Sequence, residues 1–135
     1  MKRRVISAFA VGVAGAAPVI AAMLSGTAAL AHHSIDGVYD DNKRVTVEGV
    51  VTRFQFVYPH PFLQIEVKDL SGKAQQWMLE MGNRGELAEL GFGTDTLKPG
   101  DRIKVTGSRA RSRPRGLYIQ QLERPADGFS YQRRQ

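Results

Sequence analysis

The sequence predicts a mainly β domain, a small five-stranded barrel with one short helix between strands three and four. Apolar and polar residues alternate in five separate segments, which is the period of a half-buried strand. Turns rich in glycine or proline separate several of these segments. The segment between the third and fourth strands has the capping residues of a helix instead.

The first strand is predicted in residues 44–58, RVTVEGVVTRFQFVY. Its apolar phase changes at Gly49, because Val45 and Val47 alternate before it and a second set shares a face after it. That second set is Val50, Thr52, Phe54, Phe56 and Tyr58. A one-residue slip at a glycine is typical of a β-bulge, so we expect the strand to bend there.

The remaining elements follow from the same patterns. The predicted inward residues are Leu63, Ile65 and Val67 in strand two, Trp77, Leu79 and Met81 in strand three, Ile103 and Val105 in strand four, and Leu117 and Ile119 in strand five. Asn83 and Glu86 form a capping box for a short helix that Gly91 ends. Leu87 and Leu90 should pack this helix on the sheet. This order of elements matches an oligonucleotide/oligosaccharide-binding (OB) barrel.

The domain boundaries follow from composition. Residues 1–31 combine a basic start, an apolar alanine-rich run and the triplet Ala29-Leu30-Ala31, which predicts a cleaved signal peptide. A retained membrane anchor is the alternative. Residues 32–43 read as an N-terminal arm, residues 44–123 as the barrel, and residues 124–135 as a polar, frayed C-terminal tail. The expected location is periplasmic or secreted.

Composition narrows the function further. The chain has no cysteine, which excludes disulfides and thiolate metal sites. Removing the three basic residues of the leader leaves 16 of the 19 Lys and Arg against 13 Asp and Glu, a net charge of +3. This mild charge does not favour nucleic acid as a partner. No apolar stretch after the leader is long enough to span a bilayer.

The three histidines are the candidate metal ligands. Cleavage after Ala31 would make His32 the first residue, so that its free amine and imidazole could chelate one ion together. Nitrogen ligands without sulfur suit copper(II) first and zinc second. His60 lies between two prolines in VYPHPF, a stiff turn that suits a third ligand. His33 would point away from His32 in an extended arm, as a supporting or solvent-facing group. The alternative is that His32 is merely tolerated and that His60 packs through its own hydrogen bond.

A second candidate site is the arginine-rich loop between strands four and five. Its guanidiniums recur at alternate positions, at Arg109, Arg111, Arg113 and Arg115. Four such groups could bind an anionic ligand or a protein partner, with Tyr58 among the possible stacking residues. The alternative is a solvated hairpin tip. No acid pair, nucleophile elbow or phosphate-binding glycine pattern is present, so the sequence favours binding over catalysis.

Three segments carry a resemblance to a known family. They are AHHS after the leader, PH at residues 59–60, and LKPGDRIKVTG at residues 97–107. Together they resemble the small exported bacterial proteins of the domain of unknown function 6152 family, over His32 to about Pro125. The family usually has Asn-Pro-His where this chain has Tyr58-Pro59-His60. The resemblance implies an exported barrel-like domain and no established activity.

An amino-terminal histidine is also similar to the copper sites of lytic polysaccharide monooxygenases and periplasmic copper carriers. On that comparison only His32 carries over, with His60 as a possible partner, and the folds differ. Three hypotheses result: a periplasmic module that binds copper through His32 and His60, a metal-free barrel that uses its arginine loop, and, least favoured, an oxidative copper enzyme.

Overall fold

The computed structural model describes residues 35–134. These residues form six strands, a helical stretch at residues 35–38 and one α-helix of six residues. In chain order, the strands and the six-residue helix are β1 (Tyr39–Gln55), β2 (Phe62–Lys68), β3 (Ala74–Glu80), α1 (Arg84–Glu89), β4 (Arg102–Ala110), β5 (Gly116–Arg124) and β6 (Phe129–Gln132).

The strands are hydrogen-bonded in the order β3-β2-β1-β4-β5-β6, and every neighbouring pair in that order is antiparallel. β3 also pairs with β5, in parallel, which closes the first five strands into a barrel. The closing pairs are Met78 with Gly116, Leu79 with Leu117, and Glu80 with Tyr118. A small barrel of five strands with one helix between β3 and β4 is an OB-like fold. The predicted fold class is therefore confirmed.

The alternating apolar residues of the strands fill the barrel. Buried members of this core are Leu63 and Ile65 of β2, Leu79 of β3, Ile103 and Val105 of β4, and Leu117, Ile119 and Leu122 of β5. Met81, Leu87 and Leu97 close the core from the segments that connect β3 to β4. Burial of these side chains supplies the main stabilising free energy, because the chain has no cysteine for a disulfide.

The bulge in β1 is displaced from its predicted position. The register between β1 and β2 shifts between Val51 and Arg53, so Thr52 and not Gly49 interrupts the ladder. Val51 is buried where the sequence pattern placed Val50, so the predicted face is wrong at that point. Gly49 has a different role. A Cβ there would lie 2.6 Å from the carbonyl oxygen of Glu66, so the glycine permits the close approach of β2.

The helix α1 begins after Asn83 and ends before Gly91 as predicted, but it packs differently on the barrel. The Asn83 side chain accepts hydrogen bonds from the backbone N–H groups of Gly85 and Glu86, at 2.8 and 3.3 Å. Leu87 is buried, but Leu90 is 45% exposed, which corrects the prediction that both leucines pack on the sheet. Leu90 is the C-cap residue, and the chain leaves the helix there through Gly91 at φ 89°.

The C-terminal segment is not a frayed tail. Phe129–Gln132 forms β6 along the far half of β5, after a turn in which Gly128 has φ 72°. The rings of Phe129 and Tyr131 lie 5.5 and 5.4 Å from the ring of Phe92. This aromatic packing gives the polar segment a buried face. At the other end, β1 begins at Tyr39, inside the predicted arm, where it pairs with Ala110 of β4.

Candidate functional site

The loop between β1 and β2 presents His60 next to the end of β3. Its main chain is fixed by two hydrogen bonds, from the Met81 N–H to the Pro61 carbonyl at 2.9 Å and from the Arg84 N–H to the Pro59 carbonyl at 3.0 Å. The half-buried imidazole lies 3.0 Å from the Met81 carbonyl oxygen through Nδ1. A carbonyl only accepts, so Nδ1 carries a proton and Nε2 keeps its lone pair in the neutral ring.

Two tyrosines whose rings contact each other lie beside this histidine. The His60 ring meets the ring of Tyr118 edge-on at 6.4 Å, and Tyr118 lies 5.4 Å from the ring of Tyr39. The Tyr39 hydroxyl donates to Glu80 Oε2 at 2.6 Å. Burial, together with this bond to a carboxylate, raises the pKa of Tyr39 well above its usual range. Ile35 packs against the same tyrosine cluster. We call these five residues the histidine end of the barrel.

A buried polar network lies on β4 and β5. Gln120 Nε2 donates to Ser108 Oγ at 3.0 Å and approaches Asp41 Oδ1 at 3.4 Å, and the Ser108 hydroxyl donates to the same carboxylate. Gln120 has no partner in the β4–β5 register, because Thr106 pairs with Gln121 and Gly107 with Ile119. The side chain therefore turns inward at a bulge. Sequence analysis missed this network, although two adjacent glutamines inside a largely buried strand are its signal.

The structure separates the four loop arginines into two pairs. Arg111 Nη1 lies 3.5 Å from Asp40 Oδ2, and its Nε donates to the Asp36 carbonyl at 3.4 Å. Arg109 Nη2 donates across the hairpin to the Pro114 carbonyl at 3.2 Å. These two guanidiniums hold the hairpin to its own chain.

The other two arginines, Arg113 and Arg115, border a cleft of about 400 Å³. The outer surface of β2 and β3 forms its second wall. The lining residues are Gln64, Gln76, Trp77 and Met78 on the sheet side and Arg113, Pro114 and Arg115 on the hairpin side. We call this space the hairpin cleft. The sequence pattern predicted the arginines but not the glutamines, because their outward positions look like any solvated strand face.

Tyr58 lies apart from the residues that line the hairpin cleft. Its side chain is 71% exposed, and the guanidinium of Arg84 sits between its ring and that of Phe56, 4.4 Å from each centroid. Arg84 Nε also donates to the Phe56 carbonyl at 3.1 Å. Tyr58 therefore stacks on a cation of its own chain, a pairing that no sequence spacing indicates.

His32 and His33 lie outside the described residues. Within residues 35–134, no group of three His, Cys, Asp or Glu side chains is placed to hold a metal ion. Over the same range, no helix is long and apolar enough to cross a membrane.

Comparison of the sequence with known protein families identifies one family. Residues 20–118 match the model of the Family of unknown function (DUF6152). The chain belongs to this family. The DUF6152 match includes all three histidines and all four loop arginines, and it ends within β5, before β6. Among curated proteins, none matches this DUF6152 chain at a significant level.

Solved structures show similarity to this DUF6152 chain at the level of the fold. The mitochondrial single-stranded DNA binding protein Rim1 from S. cerevisiae has a TM-score of 0.41 and 11% identity, covering 60% of this chain and 91% of that one. The dimeric N-terminal domain of the PriB protein from Thermoanaerobacter tencongensis also has a TM-score of 0.41, with 24% identity over 62% of this chain and 96% of that one.

Proposed function

We propose that this DUF6152 protein is an exported binding module that holds one copper(II) ion at the histidine end of its barrel. Three nitrogens would bind the ion: Nε2 of His60, and the α-amine and imidazole of a His32 that begins the processed chain. The proposal takes residues 1–31 as a cleaved leader, on the basic start, the apolar run and the Ala29-Leu30-Ala31 triplet. Its location would then be the periplasm or the exterior.

The hydrogen bond from His60 to Met81 is the observation that carries this proposal. Metal-ligating histidines usually donate their second ring N–H to a carbonyl or carboxylate, which fixes the tautomer and the ring orientation. The 3.0 Å bond from Nδ1 does this for His60 and leaves Nε2 as the donor atom for an ion. Pro59 and Pro61 restrict the backbone on both sides, so little conformational entropy remains to be lost on binding.

The position of Ile35 supports the participation of His32. Ile35 packs against the cluster of Tyr39, Ala110 and Tyr118, and the His60 ring lies against Tyr118. An extended chain advances about 3.3–3.6 Å per residue, so the three residues back to His32 span at most about 11 Å. A ligand that close in sequence to Ile35 has the reach to meet His60.

The ligand chemistry favours copper, with zinc second. Sulfur is absent from the proposed donors, and imidazole and amine nitrogens bind copper(II) most tightly among the divalent first-row metals. In the described part of the chain, no other cluster of ligating side chains adjoins His60. Affinity must therefore depend on His32. We favour binding for transport, buffering or sensing over turnover, because the sequence contains no recognisable general acid pair.

The test is copper(II) titration of protein that begins at His32, followed by electron paramagnetic resonance. We expect nitrogen hyperfine structure from several ligands. Acetylation of the His32 α-amine should weaken binding roughly 100-fold, which corresponds to about 2.7 kcal/mol, because it converts the amine into an amide. His60→Ala should remove one nitrogen from the spectrum, and far-ultraviolet circular dichroism would verify its fold.

His33→Ala is the matched control, since it removes an imidazole from the same dipeptide without touching the proposed ligands. It should keep wild-type affinity within about threefold. Equal affinity of the native and acetylated proteins would exclude the amine as a ligand. An unchanged spectrum in the folded His60→Ala protein would exclude the second histidine.

A further inference from the structure

We propose that the hairpin cleft binds an acidic sugar, with its carboxylate at Arg113 and Arg115 and its ring over Met78. This site is separate from the histidine end and requires no metal. Its volume of about 400 Å³ lies within the range of small-ligand pockets, roughly 300–1,000 Å³. The space is sufficient for a short saccharide segment.

The cleft is formed by main-chain contacts and does not depend on ligand. The Met78 N–H donates to the Arg115 carbonyl at 3.0 Å, which ties the hairpin to β3. Gly116 lets the Arg113 side chain lie close to the strand, because a Cβ at Gly116 would be 3.1 Å from Arg113 Cδ. Both walls are therefore held in place before binding, which lowers the entropic cost of association.

The charge of the cleft selects an anion. Among residues 35–134, the ion pairs involve Lys43, Arg111 and Arg124, so the guanidiniums of Arg113 and Arg115 have no carboxylate partner there. A guanidinium binds a carboxylate through two parallel N–H bonds, the strongest common arrangement for this pair of groups. Two guanidiniums on one rim therefore favour a ligand with a planar carboxylate over a neutral ligand.

The other lining residues select a sugar. Gln64 and Gln76 are amides that both donate and accept hydrogen bonds, as sugar hydroxyls do. The Thr52 hydroxyl lies 3.2 Å from the Gln64 main-chain carbonyl oxygen and 3.4 Å from Gln76 Oε1, so its single proton is shared between them and leaves the Gln76 amide free to adjust to a ligand. Met78 shares the outward face with Gln64 and offers an apolar surface for the C–H face of a pyranose ring.

The same surface disfavours a nucleic acid. Sequence-independent binding of single strands uses successive aromatic platforms beside a basic groove. Here the one aromatic residue of the lining, Trp77, packs its side chain against the core. Glu66 stands opposite Gln76, and Glu80 follows Met78 along the outward side of β3. These carboxylates would repel a phosphate backbone running along the strands, whereas a short acidic sugar needs only the hairpin side of the cleft.

Trp77 is the single tryptophan of the chain, so its fluorescence reports directly on this site. We would titrate the purified protein, with a chelator present, against trigalacturonate, its neutral methyl ester and an eight-residue oligothymidylate. A saturable change is expected with trigalacturonate. The methyl ester should bind at least about tenfold more weakly, since the guanidiniums lose their charged partner.

The variant Arg113→Gln with Arg115→Gln should weaken trigalacturonate binding by at least about tenfold. The matched control, Arg102→Gln with Arg134→Gln, removes the same charge from exposed positions that do not line the cleft and should bind like the wild type. Gln76→Leu provides a second variant if the hairpin variant does not fold. Three outcomes would overturn the proposal. They are an equal loss of trigalacturonate affinity in the control variant, tighter binding of oligothymidylate than of trigalacturonate, and no fluorescence change at millimolar trigalacturonate. The chelator keeps these outcomes independent of the copper site.

Discussion

Gly107 of β4 occupies a position where the backbones of two strands nearly touch. A Cβ at this residue would lie 2.5 Å from the Tyr118 carbonyl oxygen and 3.1 Å from its carbonyl carbon. Tyr118 in turn carries the ring contacts to Tyr39 and His60. The absence of one side chain on β4 therefore positions the aromatic residues of the histidine end.

Gly107→Ala should destabilise the protein by about 1–3 kcal/mol, because the strand must shift to relieve the overlap with a backbone oxygen. Urea unfolding followed by circular dichroism would measure the change. Gly93→Ala is the matched control, since a Cβ at Gly93 meets nothing within 4 Å. If the Gly107→Ala protein were as stable as the Gly93→Ala protein, β4 and β5 could move apart without loss of unfolding free energy, and the argument would be wrong.

For single residues, the sequence identified the candidate binding side chains but not the groups that each one contacts in the folded protein. The alternate spacing of the loop arginines is local, and it correctly marked a basic hairpin. Whether a guanidinium is free or occupied depends on distant residues: Asp40 and Asp36 hold Arg111, whereas Arg113 faces β3. His60 is similar, because its tautomer depends on Met81, which only the folded chain brings near.

The short helix α1 links β3 to the turn before β4, and its start is fixed by one side chain. Asn83 accepts two backbone N–H groups that would otherwise lack partners at the first turn. Leu87 is the buried residue of the helix. With so small an apolar face, the cap contributes a large share of the local stability.

Asn83→Ala should therefore cost about 1 kcal/mol of unfolding free energy, the usual value of an N-cap. The urea midpoint would report this loss, and hydrogen exchange would show faster exchange at Gly85 and Glu86. Asn42→Ala provides the comparison, because Asn42 is an exposed asparagine of β1 whose side chain is outside the described hydrogen bonds. Equal midpoints for the two variants would mean that the cap is dispensable.

Elements were predictable where their pattern is long and local. β2 shows this, since alternate residues Leu63 and Ile65 are buried as expected. β6 was not predictable, because four residues with two aromatic rings resemble a tail until Phe92 supplies the surface on which they pack. The bulge at Thr52 depends on the register with β2, so the phase change at Gly49 located it only approximately.

Across the whole molecule, three buried tyrosines link stability to alkaline pH. Burial raises the pKa of Tyr131 to about 12 and also raises the pKa values of Tyr39 and Tyr118. In the unfolded chain a tyrosine ionises near its ordinary value of about 10. Between these values the unfolded chain has released protons that the folded protein retains. The free energy of unfolding therefore falls as pH rises through this window.

Tyr131→Phe removes one of these groups. Its unfolding free energy should decline less steeply than that of the wild type between pH 10 and 12, by about 1 kcal/mol per pH unit. Urea unfolding at several pH values would measure both slopes. Tyr58→Phe controls for the loss of a phenol from an exposed position, and its curve should coincide with the wild type. Parallel curves for Tyr131→Phe and wild type would contradict the argument.

The parallel pairing of β3 with β5 closes the ring through three residue pairs. Both proposed sites cross this seam: Met78 and Arg115 meet across it in the cleft, and Met81 and Tyr118 flank His60 beyond its end. Each ligand would therefore bind the closed ring in preference to an opened one. Because the ring is already closed without a ligand, each ligand should instead stabilise the protein against unfolding by mass action, and the two increments should add.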